Sequence, residues 1–165
     1  MNPCIYTEDN RHVFKSFYMQ MKSILDCDKE IEYLYQEASR IADEYMAWVK
    51  TLPPWSCRLW IRVRRVRGTL QIEWVVPRWV GKEENRKRFN TYLPKGKSDR
   101  YPSRRLCANV DDPYRDAVME YERRLSEIRK ATRLFGEARR AWGKYEAQLS
   151  RMGLSQAATE LHNTL

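Results

Sequence analysis

The chain has 165 residues, of which 42% are hydrophobic and 12% aromatic, so one domain with a packed core is expected. Lysine and arginine number 31 against 22 acidic residues, which gives a net charge of +9. No apolar run approaches the roughly 20 residues that span a bilayer, and the first residues do not resemble a signal peptide. These features argue against a membrane or secreted protein and indicate a cytoplasmic one.

The positive charge is concentrated in the central third of the chain. Residues 58–105 hold 11 arginines and 4 lysines against 4 acidic residues, a net charge of +11. The remaining residues hold 16 basic and 18 acidic side chains and are close to neutral. This division predicts a basic head carried on a nearly neutral scaffold, and it indicates a polyanionic partner.

Apolar residues recur at alternating spacings of four and three along residues 13–52, with one polar exception. This heptad spacing predicts a long N-terminal helix over residues 10–52, ended by Pro53. Aspartates on either side of residue 27 could cap a second helix, so a break there is an alternative. The apolar positions are Val13, Phe17, Ile24, Cys27, Ile31, Leu34, Ala38, Ile41, Tyr45, Trp48 and Leu52.

A second amphipathic pattern follows the basic segment. Asp112 and Pro113 match a helix N-cap and first turn, and the spacing predicts a long helix over residues 112–152 with a tail over 153–165. Two such helices around a segment that folds back must run antiparallel. We therefore expect an α+β fold in one domain, residues 1–165, with an antiparallel helical hairpin or coiled coil flanking a small basic antiparallel β-sheet. Long apolar seams also favour a homodimer.

The basic sheet is expected within residues 57–105. Polar and apolar residues alternate along residues 58–64 and 70–76, and a glycine between the two runs suits a hairpin turn. Pro77 is expected either to end the second strand or to mark an edge, and residues 89–93 could add a third strand. The alternation predicts one apolar face, which contacts the helices, and one face rich in arginine.

The sequence contains no phosphate-binding glycine loop, no zinc-protease motif and no nucleophile motif, so neither an enzyme nor a bound cofactor is expected. The four cysteines form no CxxC pair, which argues against a structural zinc site and favours reduced thiols. One enzymatic alternative is open, because Glu73 and Asp99 could ligate magnesium for phosphodiester cleavage. The simpler interpretation of Glu73 is a cross-strand partner for an arginine.

Four arginines, Arg62, Arg64, Arg65 and Arg67, crowd one strand and its turn. Neighbouring like charges repel, so fold stability alone does not favour such a row, whereas regularly spaced phosphates do. A two-stranded ribbon also fits the major groove of DNA. The alternative is a solvated face, with Trp60, Trp74 and Trp79 covering the sheet.

Aromatic residues among the arginines could also stack on unpaired bases. The full set predicted to contact DNA comprises 14 of the 15 basic residues of the head and two interleaved aromatics. They are Arg58, Trp60, Arg62, Arg64, Arg65, Arg67, Arg78, Arg86, Lys87, Arg88, Lys95, Lys97, Arg100, Tyr101, Arg104 and Arg105.

Four short runs in and after the predicted hairpin are characteristic. They are Arg64-Arg65-Val66-Arg67-Gly68, Ile72-Glu73-Trp74, Tyr92-Leu93-Pro94-Lys95-Gly96 and Arg100-Tyr101. These runs resemble the central part of the MobI-type mobilisation proteins of integrative conjugative elements and conjugative plasmids, and the resemblance extends over about residues 40–135. It implies a bacterial cytoplasmic factor that binds double-stranded DNA at an origin of transfer and assists a relaxase without being the nicking enzyme.

Two other functions fit the same residues. One is a coiled-coil adaptor whose basic head binds an acidic protein. The other is binding of RNA or single-stranded DNA through the aromatic side chains. Binding to duplex DNA should weaken steeply with salt, whereas an acidic protein partner should give a shallower dependence.

Overall fold

The computed structural model describes residues 27–152, with three helices and three strands in this part of the chain. Residues 10–26 of the predicted N-terminal helix and the predicted tail over 153–165 lie outside it. The elements are α1 (Cys27–Val49), β1 (Trp60–Val66), β2 (Thr69–Val80), β3 (Lys87–Tyr92), α2 (Ser103–Cys107) and α3 (Arg115–Arg151), with 3₁₀ turns at Glu83–Asn85 and Asp112–Tyr114.

The three strands form one antiparallel sheet in the order β1-β2-β3. On β1 and β2, Ile61 lies across from Trp74, and Val63 lies across from Ile72. The turn between these strands is tight because Arg67 and Gly68 both adopt positive φ angles, 49° and 72°. Glycine adopts such a conformation without steric cost, which explains its place in the turn.

The apolar face of the sheet contacts the helices and forms the core. The ring of Trp74 lies 5.1 Å from that of Tyr45 on α1, and the Tyr45 hydroxyl donates a 3.0 Å hydrogen bond to the Leu59 carbonyl oxygen. Leu125 of α3 is also fully buried in this core. The period-two alternation of the sequence therefore places the correct residues inside.

A buried carboxylate joins the sheet to the long helix. Glu122 of α3 accepts hydrogen bonds from the Trp74 indole nitrogen, at 2.6 Å, and from the Tyr101 backbone nitrogen, at 2.7 Å. It also forms an ion pair with Arg129, whose Nε donates to the Asp99 carbonyl oxygen at 2.7 Å. This network fixes one face of the sheet against α3, so the opposite face has a defined orientation.

The predicted helical hairpin or coiled coil is wrong, although the α+β class is correct. Within residues 27–152 there is one long helix, α3, and a shorter helix, α1, in place of two long flanking helices. Four apolar residues of α1, Leu34, Ala38, Ile41 and Tyr45, are buried, and they pack against the sheet and α3 in a globular core. A helix that covers a sheet needs the same spacing of apolar residues as a coiled coil, so the spacing does not distinguish the two.

Two predicted boundaries can be compared with the structure. The second strand continues through Pro77 to Val80, so Pro77 marks an edge, which was one of the two expectations, and does not end the strand. β1 begins at Trp60, opposite Val75, and this leaves residues 77–80 of β2 without a partner on that side, where proline is tolerated. Asp112 is not an N-cap: it begins a 3₁₀ turn before α3 and pairs with Arg115 at 2.7 Å.

The described residues belong to two compact units. Residues 31–135, which contain the sheet, form one unit. Residues 27–30 and 136–152 belong to the other, in which the rings of Trp142 and Tyr145 lie 5.3 Å apart. Within residues 27–152, no helix combines the length and apolar character needed to cross a membrane.

Candidate nucleic-acid interface

The register defines the second face of the sheet, which we call the outer face. Residues at alternate positions share a face, so the row Trp60–Val75–Tyr92 crosses all three strands on this side. The outer face is opposite the core that contains Trp74. Its side chains come from β1 (Trp60, Arg62, Arg64), β2 (Gln71, Glu73, Val75, Trp79) and β3 (Arg88, Asn90, Tyr92).

Two arginines cross the central strand in opposite directions on the outer face. Arg88 of β3 places its guanidinium carbon 4.8 Å from the ring centroid of Trp60 on β1. Arg62 of β1 lies 5.7 Å from the ring centroid of Tyr92 on β3 and donates a hydrogen bond to its hydroxyl. Each edge strand therefore supplies one cation and one aromatic ring to a reciprocal pair of cation–π contacts.

The crossed arginines and the rings that they contact explain why Val75 is buried. Val75 is at the centre of the outer face, yet its side chain is only 1% exposed. Trp60 and Tyr92 flank it in the same row, and the two guanidinium groups lie over those rings. A guanidinium held beside a ring has further N–H groups that the ring contact does not use, and these can contact phosphate.

Arg64 is the arginine of the outer face that pairs with a carboxylate. One of its terminal guanidinium nitrogens donates a 3.5 Å hydrogen bond to Glu73 Oε1, and its Nε lies 3.4 Å from Glu73 Oε2 without forming a hydrogen bond. Gln71, directly across from Arg64, also has a buried side-chain oxygen without a partner. Glu73 is therefore the cross-strand partner of an arginine, which was the simpler of the two interpretations of this residue in the sequence.

The other two arginines of the predicted row do not join the outer face. Arg65 points to the helical side and pairs with Glu32 of α1 at 2.7 Å. Arg67 lies in the β1–β2 turn and is exposed. The row in the sequence is therefore divided, with Arg62 and Arg64 on one face and Arg65 on the other.

The β2–β3 hairpin projects beyond the end of β1. We call residues 77–90 the ribbon arm. Arg78 lies across from Phe89 on the helical side, whereas Trp79 lies across from Arg88 on the outer face, and all four are exposed. Arg86 and Lys87 lie at and just after the turn of the arm and are exposed as well.

A second group of basic residues follows the sheet. Lys95 and Arg105 donate hydrogen bonds to the backbone oxygens of Ser98 and Pro94, which fold the loop onto α2. Arg100 lies 3.7 Å from Glu127 of α3. The remaining members are exposed, and they are Lys97 and Arg104.

Arg58 lies apart from the outer face. It lines an open depression of about 730 Å³ together with Trp55, Asp111, Asp112 and Arg115. Two carboxylates and two guanidinium groups share this depression, so its charge is mixed.

Tyr101 is not available for stacking on a base. It is 5% exposed, and its hydroxyl accepts a 3.4 Å hydrogen bond from the Trp74 backbone nitrogen. Burial raises the pKa of the Tyr101 hydroxyl above its usual value. Tyr101 therefore belongs to the core and not to the interface.

The proposed magnesium ligands are not brought together. Glu73 is next to Arg64, and Asp99 contacts Arg133 at 3.1 Å. No group of three His, Cys, Asp or Glu side chains in residues 27–152 is arranged to hold a metal ion. Each of the two carboxylates has an arginine as its partner. They do not form the shared magnesium site that phosphodiester cleavage would require.

Among the described residues, carboxylates pair with few cations of the basic head. Of the 15 basic residues in 58–105, the ion pairs between described residues involve Arg64, Arg65 and Arg100. Within residues 27–152, the carboxylates of the helices therefore balance only a small part of the positive charge of the head.

Three residues that sequence reasoning left out of the site lie on the ribbon arm. Trp79, Val80 and Phe89 are large apolar side chains, and each is more than half exposed. The sequence after Pro77 is still typical of a β-strand, and this could have placed these residues on a strand that continues beyond the proline. The structure thus adds an apolar component to a surface predicted to be cationic.

The fold and this surface define an α+β protein whose sheet has one face in the core and one face rich in arginine. The chain matches the family model described as MobI protein over residues 34–143, well over half of its length, and therefore belongs to the MobI family. This membership makes it a mobilisation-related accessory protein and confirms the resemblance noted in the sequence. No curated protein and no solved structure matches the chain.

Proposed function

We propose that this protein binds duplex DNA at an origin of transfer through the outer face of its sheet. The observation that carries the proposal is the reciprocal crossing of Arg62 and Arg88, which holds two guanidinium groups over Tyr92 and Trp60. Cations that are fixed before binding lose little side-chain entropy when they contact a phosphate.

The same contacts favour duplex DNA over unpaired strands. Bases of a single strand stack on exposed aromatic rings, but the Arg88 guanidinium already lies over the ring of Trp60. Arg88 would have to leave this ring before a base could replace it, whereas Tyr92 is 44% exposed. Phosphates, in contrast, can approach the N–H groups of Arg62 and Arg88 that the ring contacts do not use.

Membership of the MobI family supports a role for this binding in mobilisation. We propose that the protein marks the origin for a relaxase and does not itself cleave DNA. Part of the sequence seam that favoured a homodimer is buried within the chain, at Ile31, Leu34, Ala38, Ile41 and Tyr45. This part of the seam is therefore not available to pair with a second copy.

The direct test is a salt titration of binding to a duplex and to its separated strands. With about six phosphate contacts, duplex affinity should fall at least ~10³-fold between about 50 and 200 mM salt. The duplex should contain the transfer origin of the element that encodes the protein, and a scrambled duplex of equal length is the control. A preference for single strands, or a salt slope near zero, would contradict the proposal.

A further inference from the structure

The ribbon arm combines cations and apolar side chains in a regular pattern. In three successive rungs of the β2–β3 ladder, an apolar residue lies directly across from a basic one. The apolar partners are 53%, 57% and 56% exposed for Trp79, Val80 and Phe89. The rungs are Trp79–Arg88, Arg78–Phe89 and Val80–Lys87.

The rungs alternate between the two faces of the arm. Trp79 and Arg88 share the outer face, and the rungs on either side of this one point to the opposite face. Each face of the arm therefore presents apolar and cationic side chains together. A solvated hairpin has no need for this pattern, because exposed apolar area gains nothing from water.

The arm has the shape of a free two-stranded ribbon. β1 begins at Trp60, opposite Val75, so residues 77–80 pair with β3 alone. Every described side chain from Arg78 to Phe89 is exposed. The β1–β2 hairpin, in contrast, is held on the helical layer by the buried Leu70 and by the Arg65–Glu32 ion pair.

We propose that the ribbon arm enters the major groove of duplex DNA and contacts the edges of the bases. This inference rests on the proposed function and names the element that provides its sequence selectivity. The major groove is about 12 Å wide and accepts a two-stranded ribbon, whereas the minor groove is about 6 Å wide.

Each face of the ribbon arm carries the two kinds of side chain, cationic and apolar, that can contact the major groove. Cations such as Arg78 and Arg88 contact phosphates or the acceptor atoms of guanine, and apolar groups contact thymine methyl groups. Because the arm carries both kinds of side chain on both faces, it can contact both walls of the groove at once. The outer face of the sheet then contacts the adjacent backbone.

The test compares a Trp79→Ala/Phe89→Ala variant with the intact protein. The control is Tyr33→Ala/Trp55→Ala, which removes two exposed aromatic side chains outside the arm. The full-length proteins first select from a random duplex library, and the selected duplex is then probed with dimethyl sulfate. This reagent methylates guanine N7 in the major groove and adenine N3 in the minor groove.

We expect the intact protein and the control to protect guanine N7 in the selected site. The arm variant should lose this protection and at least about tenfold of its preference for the selected over a scrambled duplex. Its affinity for the scrambled duplex should change little, because the phosphate contacts of Arg62 and Arg88 are retained. Equal circular dichroism spectra of the three proteins show that the fold is intact.

Three results would overturn the inference. The intact protein could enrich no sequence, it could protect adenine N3 in place of guanine N7, or the arm variant could retain both selectivity and protection. These results leave salt-dependent binding to duplex DNA in place. If the intact protein binds no duplex at all, the proposed function fails together with the inference.

Discussion

Arg88 and Trp60 come from opposite edge strands and meet above the central strand, with the guanidinium carbon 4.8 Å from the ring centroid. Arg62 and Tyr92 make the reverse contact. The two contacts hold the guanidinium groups in place, and the N–H groups that these contacts do not use can meet a phosphate. The outer face is thus an ordered cationic surface, and its order depends on residues from all three strands.

Neutralising the crossed arginines should reduce the salt dependence of DNA binding. An Arg62→Gln/Arg88→Gln variant loses two phosphate contacts, so the slope of log affinity against log salt should become shallower by roughly 1.8. Fluorescence anisotropy of a labelled duplex at several salt concentrations measures this slope.

The matched control is Lys50→Gln/Lys130→Gln, which removes the same charge from two exposed lysines of the helical layer. Its slope should equal that of the intact protein. An equal effect of both variants would show that net charge alone, and not the outer face, determines binding.

Replacing the buried Glu122 should destabilise the protein strongly. Glu122 and Arg129 are 1% and 7% exposed, and a Glu122→Ala variant leaves Arg129 charged without its carboxylate. Breaking such a pair costs about 3–5 kcal/mol. Urea unfolding followed by circular dichroism gives the free energy of unfolding.

The control for this variant is Glu120→Ala, which removes an exposed carboxylate paired with Arg123 on the same helix. Its unfolding midpoint should stay close to that of the intact protein, because surface pairs contribute little. If both variants unfold at the same urea concentration, Glu122 does not anchor the sheet as described.

The ion pair between Glu44 and Arg124 should make stability depend on pH in the acid range. Arg124 donates hydrogen bonds of 2.8 and 2.9 Å to Glu44, and these bonds lower the pKa of the Glu44 carboxyl. Because the folded-state pKa is lowered, the stabilisation is present above the ordinary value of about 4.3 and is lost as pH falls through the folded pKa.

A Glu44→Gln variant tests this dependence. Its thermal midpoint should lie below that of the intact protein at pH 7, and the difference should vanish in the acid range. Asp43→Asn is the control, since it changes an exposed neighbouring carboxyl of α1. A difference that stays constant down to about pH 3 would contradict the assignment.

Gly81 should be required for the shape of the ribbon arm. Its φ angle is +113°, and an added Cβ would lie 2.8 Å from the Asn85 carbonyl oxygen. A Gly81→Ala change must therefore move the turn, at a local cost of about 1–3 kcal/mol. Because the arm lies outside the core, we expect weaker selectivity for the selected duplex with little change in the thermal midpoint.

Gly143→Ala serves as the control for the glycine, because an added Cβ at this position of α3 meets no atom within 4 Å. This variant should select the same sequence as the intact protein. Unchanged selectivity of the Gly81→Ala variant would show that the geometry of the turn is unimportant for binding.

The sequence predicts the sheet better than the helices. Alternation depends on neighbours along one strand, so the inward side chains of Ile61 and Trp74 follow from local sequence. The spacing of apolar residues in α1 shows that one face is buried but not what covers it. A sheet and a partner helix require the same spacing, and the coiled-coil prediction was wrong for this reason.

The cationic surface was predicted in composition but not in geometry. Arg64 and Arg65 lie on opposite faces because successive side chains of a strand alternate, and this can be predicted from the sequence. The contacts of Arg62 and Arg88 across the central strand depend on the register of all three strands, which the sequence does not provide. Tyr101 follows an exposed arginine in the sequence, yet its backbone nitrogen donates to the buried Glu122 and its ring belongs to the core. Such long-range contacts have no local signal.

Both outermost strands of the sheet carry positive charge, with Arg62 and Arg64 on β1 and Lys87 and Arg88 on β3. Edge strands have unpaired backbone groups that can bond to another molecule of the same protein, and like charges on two approaching edges repel each other. The guanidinium groups thus also oppose aggregation. A polyanion that neutralises them removes this repulsion, so crowding of several molecules on one nucleic acid makes strand-to-strand association easier than it is in free solution.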